Sequence, residues 1–297
     1  YYVNDIGFIG VALSNVLFSN VDLTFNVDIN GESNKYYSRI GGLIGKVDNQ
    51  VGLIYFEDVI GHTTVTTQGQ YLWEIGGLIG VVERVNQIIS FDTQSVLTIE
   101  SNEPEDLTRI GGFVGNLKYS SAFLFRNYAV LEYLESISNE SSKQFYIGSF
   151  AGDIYDDSFV LISDSLLLLN GQVNIDTTNL SFDQEAFNIT RLGSVTNSVN
   201  DDMSLVIIRS SMSRNFKINI NDDSNESRKF LLRSIGGVVA ETRDQYSYLT
   251  LYESISNATL NVELSSNNET QFEIILDEFS GVVGDSSDND PNIEKYL

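Results

Sequence analysis

The chain has 297 residues, 42% of them hydrophobic, which is enough for a sizeable core, and no apolar run approaches the length of about 18 that a membrane-spanning helix needs. Its 17 Lys and Arg stand against 41 Asp and Glu, and a formal net charge of −24 would repel nucleic acid or an anionic membrane. Cysteine is absent, which excludes a disulfide framework and thiolate metal sites but not secretion.

In chain order, the first element is DIGFIG at 5–10, followed by LTFNVDI at 23–29, in which apolar and polar residues alternate. IGGLIG follows at 40–45, then a polar turn at 47–50 and an apolar run, LIYFED, at 53–58. The same order then returns. IGGLIG at 75–80 precedes IISFDT at 88–93 and VLTI at 96–99, and IGGFVG stands at 110–115. IGSFAG at 147–152 precedes VLISDS at 160–165 and QVNI at 172–175. LGSVTN at 192–197 leads to FKINI at 216–220, IGGVVA at 235–240 to LTLYES at 249–254 and LNVEL at 260–264, and FSGVVG closes the series at 279–284. The third residue of each glycine segment falls at 7, 42, 77, 112, 149, 194, 237 and 281. The first three spacings are each 35 residues and the later ones 37, 45, 43 and 44, so the repeat is established by its own regularity.

One domain over residues 1–297 is therefore expected, with repeat units starting near 5, 40, 75, 110, 147, 192, 235 and 279. Each unit reads as three strands: the glycine segment, the apolar run with its polar corner, and the alternating stretch rich in β-branched residues. The extra residues of the longer units fall mainly in one hydrophilic closing loop, which places that loop on one flank of a stacked array. Three strands per turn predict an all-β fold, a parallel β-helix (solenoid) of about eight coils. At about 4.8 Å per coil the rod is roughly 35–40 Å long. A propeller would need four strands per blade and carries signatures that are missing here. The chain opens on Tyr1 and closes on Leu297 in ordinary sequence, as a mature chain or a slice of a longer one would. Neither terminus reads as a cap, which favours a continuing chain or a polymer.

Stacking turns the alignment into ladders. Read as one strand, the glycine segment puts Ile40, Gly42 and Ile44 on one face, with room beside the glycine for Phe56 or Phe91. Its other face carries Leu43, Leu78, Phe113, Phe150, Val195, Val238 and Val282, an outer apolar ladder that the closing loops or another molecule must cover. Three residues before the glycine stand Arg39, Glu74 and Arg109, so Glu74 is expected between two arginines as a register device, with Arg191 and Glu278 at the same offset further on. The polar corner runs Glu57, Asp92, Asn127, Asp164 and Glu253, read as a stack that satisfies corner backbone donors.

Catalytic signals are weak. Asp92 and Asp164 could serve glycoside hydrolysis, which needs two carboxylates, but the acidic charge opposes a polyanionic substrate. His62 is the single histidine and has no evident partner. No catalytic residue and no cofactor are assigned. Calcium is the one metal with oxygen-rich turns to receive it, at Asp156, Asp157, Asp201 and Asp202 and near Asp288 and Asp290, without an ordered ligand spacing. Six Asn-X-Ser/Thr sequons stand at Asn139, Asn179, Asn188, Asn225, Asn257 and Asn268, all but Asn257 placed in closing loops where a glycan would be exposed.

The Gly-Gly-Leu-Ile/Val-Gly segment, the turn and the apolar strand ending in a polar corner resemble the GLUG-type repeats of large secreted and cell-surface proteins, adhesins among them. The resemblance spans nearly the whole chain and is good at 40–45, 75–80 and 110–115. The Tyr-Ala-Thr-Gly run usual after the corner survives only as Asn127-Tyr128-Ala129. It implies a β-solenoid and extracellular display, and no particular chemistry. The expected function is a non-catalytic structural or adhesive solenoid at the cell surface, N-glycosylated, that associates with itself or with other surface proteins and glycans and builds a filament or layer. The alternative is a carbohydrate-active or glycan-binding β-helix.

Overall fold

Two successive small residues decide the path of the second to eighth coils. A Cβ on Gly41, Gly76, Gly111, Gly148 or Gly193 would run into the carbonyl oxygen three residues ahead, so only glycine lets the chain double back there. A computed structural model describes residues 2–30, 36–48, 51–68, 74–102, 109–137, 142–177, 187–199, 202–222, 228–242, 247–265 and 272–286. The described residues contain strands and turns but no helix.

The strands form three wholly parallel sheets. Sheet I has eight strands that lead into the glycine corner, such as Glu74–Gly76 and Arg109–Gly111. Sheet II has eight strands that leave it, such as Ile79–Glu83 and Val114–Lys118. Sheet III has 12 strands and contains both the apolar run and the alternating stretch. In the second coil these two are a single strand, Leu53–Gln68. The chain is thus a parallel β-solenoid. Register pairs residues one repeat apart, for example Ile40 with Ile75 and Ile75 with Ile110. The first coil is one residue short at the corner, because Ile6 pairs with Ile40 while Ile9 pairs with Ile44.

The glycine segment is not one strand with two apolar faces, the form expected from its apolar sequence. It bends at the second glycine and the residue after it, and this bend turns what would be alternate faces into two interiors. Ile40, Ile75, Ile110 and Ile147 enter a core between sheet I and the far half of sheet III, with Val65, Leu97 and Leu131. Leu43, Leu78, Phe113, Phe150, Val195 and Val238 enter a second core between sheet II and the near half of sheet III, joined by Ile44, Phe56 and Phe18, with the half-buried Val282 packed against it. The expected outer ladder is therefore interior and is no assembly face. Phe56 lies edge-on to Phe113 at 5.8 Å and stacks on Phe18 at 5.6 Å. Each such side chain contributes about 1.5–3 kcal/mol on burial.

Between the two cores the corner touches sheet III. Thr63 Oγ1 donates to Gly77 O at 2.7 Å and Ser95 Oγ donates to Gly112 O, so small hydroxyl side chains, not Phe56 or Phe91, stand beside the glycines. Phe91 instead points outward. Corner carbonyls accept twice from the preceding coil: Leu78 O from Leu43 and Ile44, Phe113 O from Leu78 and Ile79.

Sheet III bends at one left-handed residue per coil: Asn20, Asp58, Asp92, Arg126, Asp164, Arg209 and Glu253, with φ between 44° and 55°. The polar-corner alignment was off by one in two coils, since Asp58 and Arg126, not Glu57 and Asn127, stack with Asp92 and Asp164. Asn127 occupies the next, inward position. There its Oδ1 accepts from Thr93 N and Ser90 Oγ, both at 2.9 Å. Asn127, Ser165 and Ser210 each donate a backbone N–H to the next coil's serine hydroxyl, at 3.0, 3.1 and 3.2 Å. A buried hydroxyl ladder thus satisfies the donors that the bend removes from the sheet.

Candidate functional site

The doubling back at the glycines turns the outer surfaces of sheets I and II toward each other. Nearest the corner no side chain fits, because a Cβ on Gly80 or Gly115 would strike the backbone of the facing strand. Further out the facing positions are polar and titratable. This seam is the main cluster of shifted ionisable groups among the described residues.

Arg39 pairs with Asp5 through Nη1 and with Glu74 Oε2 through Nε, both at 3.3 Å. Asn116 Nδ2 donates to Glu74 Oε1 at 2.6 Å and to the Tyr155 hydroxyl at 3.2 Å. Arg109 stacks beside Glu74 in sheet I, but its bond goes to Asp153 Oδ2 at 3.2 Å, and Ser198 Oγ donates to the other oxygen of Asp153. Arg191 Nε pairs with Glu241 at 3.3 Å, while its Nη1 donates to the Tyr146 hydroxyl. The Tyr146 ring lies between Arg109 and Arg191, 5.6 and 5.2 Å from their guanidinium carbons. Glu74 therefore has one arginine partner and one amide, and the expected second arginine serves the next coil. Arg191 finds its carboxylate in sheet II.

Burial raises Glu74 above the usual carboxylate range, opposed by Asn116 and then by Arg109 and Arg39. Burial raises Asp153 likewise, opposed by Ser198 and Arg109. The carboxylate side chains are 9% exposed and their arginines 27–29%. The seam is filled by its own partners.

Asp92 and Asp164 behave in the opposite way. They stand two coils apart on the outer bend, about 10 Å by the coil repeat. Arg126 forks onto Asp92 at 2.7 and 2.6 Å, and Arg209 forks onto Asp164 at 2.7 and 2.8 Å. The Arg126 hydrogen bonds lower Asp92, and those of Arg209 and Ser163 lower Asp164 to about 2. Two carboxylates held ionised supply no proton donor, which glycoside hydrolysis requires.

Asp156, Asp157 and Asp202 occupy left-handed positions in the turns from sheet II to sheet III, and Lys118 Nζ meets Asp156 at 2.9 Å. Asp201, Asp288 and Asp290 lie outside the described residues. Among the described residues no three His, Cys, Asp or Glu are placed to hold a metal ion. Of the sequons, Asn257 is exposed on the outer face of Ile255–Ser265, and Asn188 lies in the strand Phe187–Leu192 rather than in a loop. Asn139, Asn179, Asn225 and Asn268 lie outside the described residues. His62 is exposed on sheet III.

The far half of sheet III bears a shallow groove of about 630 Å³, lined by residues that include Thr98, Glu132, Asn170, Gln172, Asn215 and Lys217. Sequence reasoning missed it. Its lining comes from five successive coils, so no one segment of the sequence carries it.

The fold and seam define a parallel β-solenoid whose titratable residues are paired between coils. Compared with known proteins, the chain matches no family model, no curated protein and no solved structure.

Proposed function

We propose that this chain is a non-catalytic structural or adhesive solenoid of GLUG-like repeats, displayed outside the cell, N-glycosylated, and a building unit of a surface filament or layer. The observation that carries the reading is the use made of the seam. Its arginines, carboxylates, amide and tyrosines are engaged with one another across successive coils, which is how a rod is held in register rather than how a reacting group is kept free. The outer carboxylates Asp92 and Asp164 are likewise spent on the arginines of adjacent coils. The exposed Asn257 sequon fits display in a secretory environment.

Electron microscopy of the purified chain at neutral pH, with endoglycosidase release of glycans in parallel, tests this. Rods or ordered assemblies carrying releasable glycan are expected. Turnover of a polysaccharide that is lost on substituting Asp92 and Asp164 would overturn it. The glycan-binding alternative is favoured by one observation, the amide- and hydroxyl-lined groove around Asn170 and Asn215. A polysaccharide screen in which N170A and N215A abolish retention would establish it instead.

A further inference from the structure

The apolar run of each coil points alternate residues outward. One outward column, Leu17, Tyr55, Ile89, Phe123, Leu161 and Val206, is apolar in six successive coils. Leu17 is 68% exposed and the others are partly exposed. Beside it, Phe91 stacks on Phe125 at 5.0 Å and 15°, and Phe123 contacts Phe159 at 5.7 Å. Rings stacked face to face along the rod turn their edges outward, which makes a poor platform for sugar rings and a good one for apolar side chains. The turns that lead into this face are two to five residues long, too short to fold back over it.

We propose that this face of sheet III is a homodimer interface in which a second copy lies antiparallel, with the two-fold axis between the fourth and fifth coils. The charges along the bend choose this arrangement. Asp92, Arg126, Asp164 and Arg209 form neutral pairs within one chain, so the rim is neutral over the four central coils, with Asp58 and Glu253 at the two ends of the overlap, on a molecule of net charge −24. An antiparallel two-fold sets Arg126 opposite the second copy's Asp164, and Asp92 opposite its Arg209. A parallel dimer with coils aligned would set each charge against its like. Bulk complements in the same way: Phe125 meets Ser163, Phe159 meets Ser121, and Phe123 meets Leu161. Two antiparallel registers with opposite charges at the centre overlap six coils. The one centred between the third and fourth coils sets Asp58 opposite Asp164 and Arg209 opposite Asn20, so the register between the fourth and fifth matches more of the charges. About 24 Å along the rod by about 20 Å across gives roughly 500 Å² per copy, less than the about 800 Å² of a standard interface, so the dimer is reversible.

The inference rests on the structural reading above and can fail without it, because a monomeric rod would still be a scaffold. The test is sedimentation velocity of the whole chain between about 1 and 100 µM, a range in which a reversible dimer of this size changes population. A monomer–dimer equilibrium is expected, tightening as salt screens the net charge. F123E should be monomeric throughout, with unchanged circular dichroism and melting. S213E, on the same sheet beyond the bend, should dimerise as the parent does. The chain has no cysteine, so single nitroxide labels report the geometry. Labels at Glu132 should lie about one coil apart across the dimer, and labels at Thr259 about five coils, roughly 24 Å along the axis. A parent monomeric at about 100 µM overturns the proposal. So does an F123E variant that dimerises like the parent, or a short Thr259 distance.

Discussion

The Arg109 guanidinium, in the fourth strand of sheet I, donates to Asp153 Oδ2 at 3.2 Å in the fifth strand of sheet II. Glu74 and Asn116, and Arg191 and Glu241, are related in the same way, one coil forward across the seam. Stacking alone holds coils at fixed spacing but tolerates slippage along the strands. A diagonal tie between two sheets does not, because a one-residue slip in either sheet moves its partner to the opposite face.

Removing one end of that tie leaves a buried charge. R109M should destabilise the chain by about 2–4 kcal/mol, because Asp153 loses its countercharge at a nearly buried position and keeps only the neutral donors of Ser198 and the Ile154 backbone. D153N keeps shape and a hydrogen-bonding oxygen and should cost less, and the double variant should cost less than the two single losses combined. Urea unfolding of the four proteins checks this. Equal loss in R109M and in an arginine of the open surface such as R233M would show that the tie contributes nothing special.

The raised ionisation of Glu74 sets a pH dependence. Above the ordinary 4.5 and up to its higher native value, folded Glu74 keeps a proton that the unfolded chain has released. Stability from this group is full below 4.5 and is lost as pH rises through the native value. E74Q cannot titrate, so its urea midpoint should gain on that of the parent as pH increases through this window. A constant difference between the two from pH 4 to 7 would contradict it.

Asp164 carries the opposite sign. Its pKa is lowered to about 2, so its contribution is present above the ordinary 3.8 and is lost as pH falls toward about 2. Asparagine tolerates the left-handed backbone there, so D164N isolates the charge. The variant should be slightly weaker than the parent at neutral pH and indistinguishable from it near pH 2. High salt should shrink the neutral difference, since the pair is exposed.

Much of this was legible in the repeat. Equal spacing of IGG segments carried the coil and the parallel order of the sheets. Three features were not legible, each for a physical reason. A fully apolar segment such as IGGLIG carries no alternation, so it read as a strand buried on both faces, whereas the glycines bend it and divide the interior in two. The left-handed residue of sheet III interrupts the inward-outward alternation, which displaced the polar corner at Glu57 and Asn127 by one. The diagonal seam joins residues of different coils and different sheets, and a repeat alignment compares only equivalent positions.

The two residues of the glycine pair should differ sharply under substitution. G111A places a Cβ against the Val114 carbonyl and against Ala151 Cα 2.7 Å away, backbone atoms with no freedom to move. A loss of about 4 kcal/mol or failure to fold is expected. The following position holds serine in two coils, Ser149 and Ser194, and the Ser149 hydroxyl donates to Ser194 O at 2.6 Å. A Cβ on Gly112 would also press on backbone, the Ser149 carbonyl oxygen at 2.2 Å, so G112S needs the shift that the later coils have already made for Ser149 and Ser194 and should cost about 2 kcal/mol, less than G111A. Thermal melts and soluble yield separate the two, and equal damage would show that the corner is closed to any side chain.

Arg214 stands in an inward column with Phe25, Thr63, Leu97, Leu131, Leu169 and Ala258, where it is the one charged residue. It is 3% exposed, and burial lowers it to about 10. Its Nη1 donates to Leu192 O at 2.9 Å and Gly236 O at 2.8 Å. At other coils the corner carbonyl receives a backbone N–H, as Gly111 O does from Gly77 at 3.1 Å. The guanidinium thus takes a backbone role where the corner sequence has drifted to Leu192-Gly193-Ser194. Its desolvation costs several kcal/mol, and its two charge-assisted bonds return a similar amount. R214L should therefore change stability by no more than about 1.5 kcal/mol in either direction. The converse, L169R, buries a cation where Gly148 O is already served by Gly112 N at 3.0 Å, and should cost about 4 kcal/mol or more. Urea midpoints decide between position and chemistry: equal losses in both variants would mean that the column tolerates no change, whereas the expected asymmetry follows from the two carbonyls that Arg214 already meets.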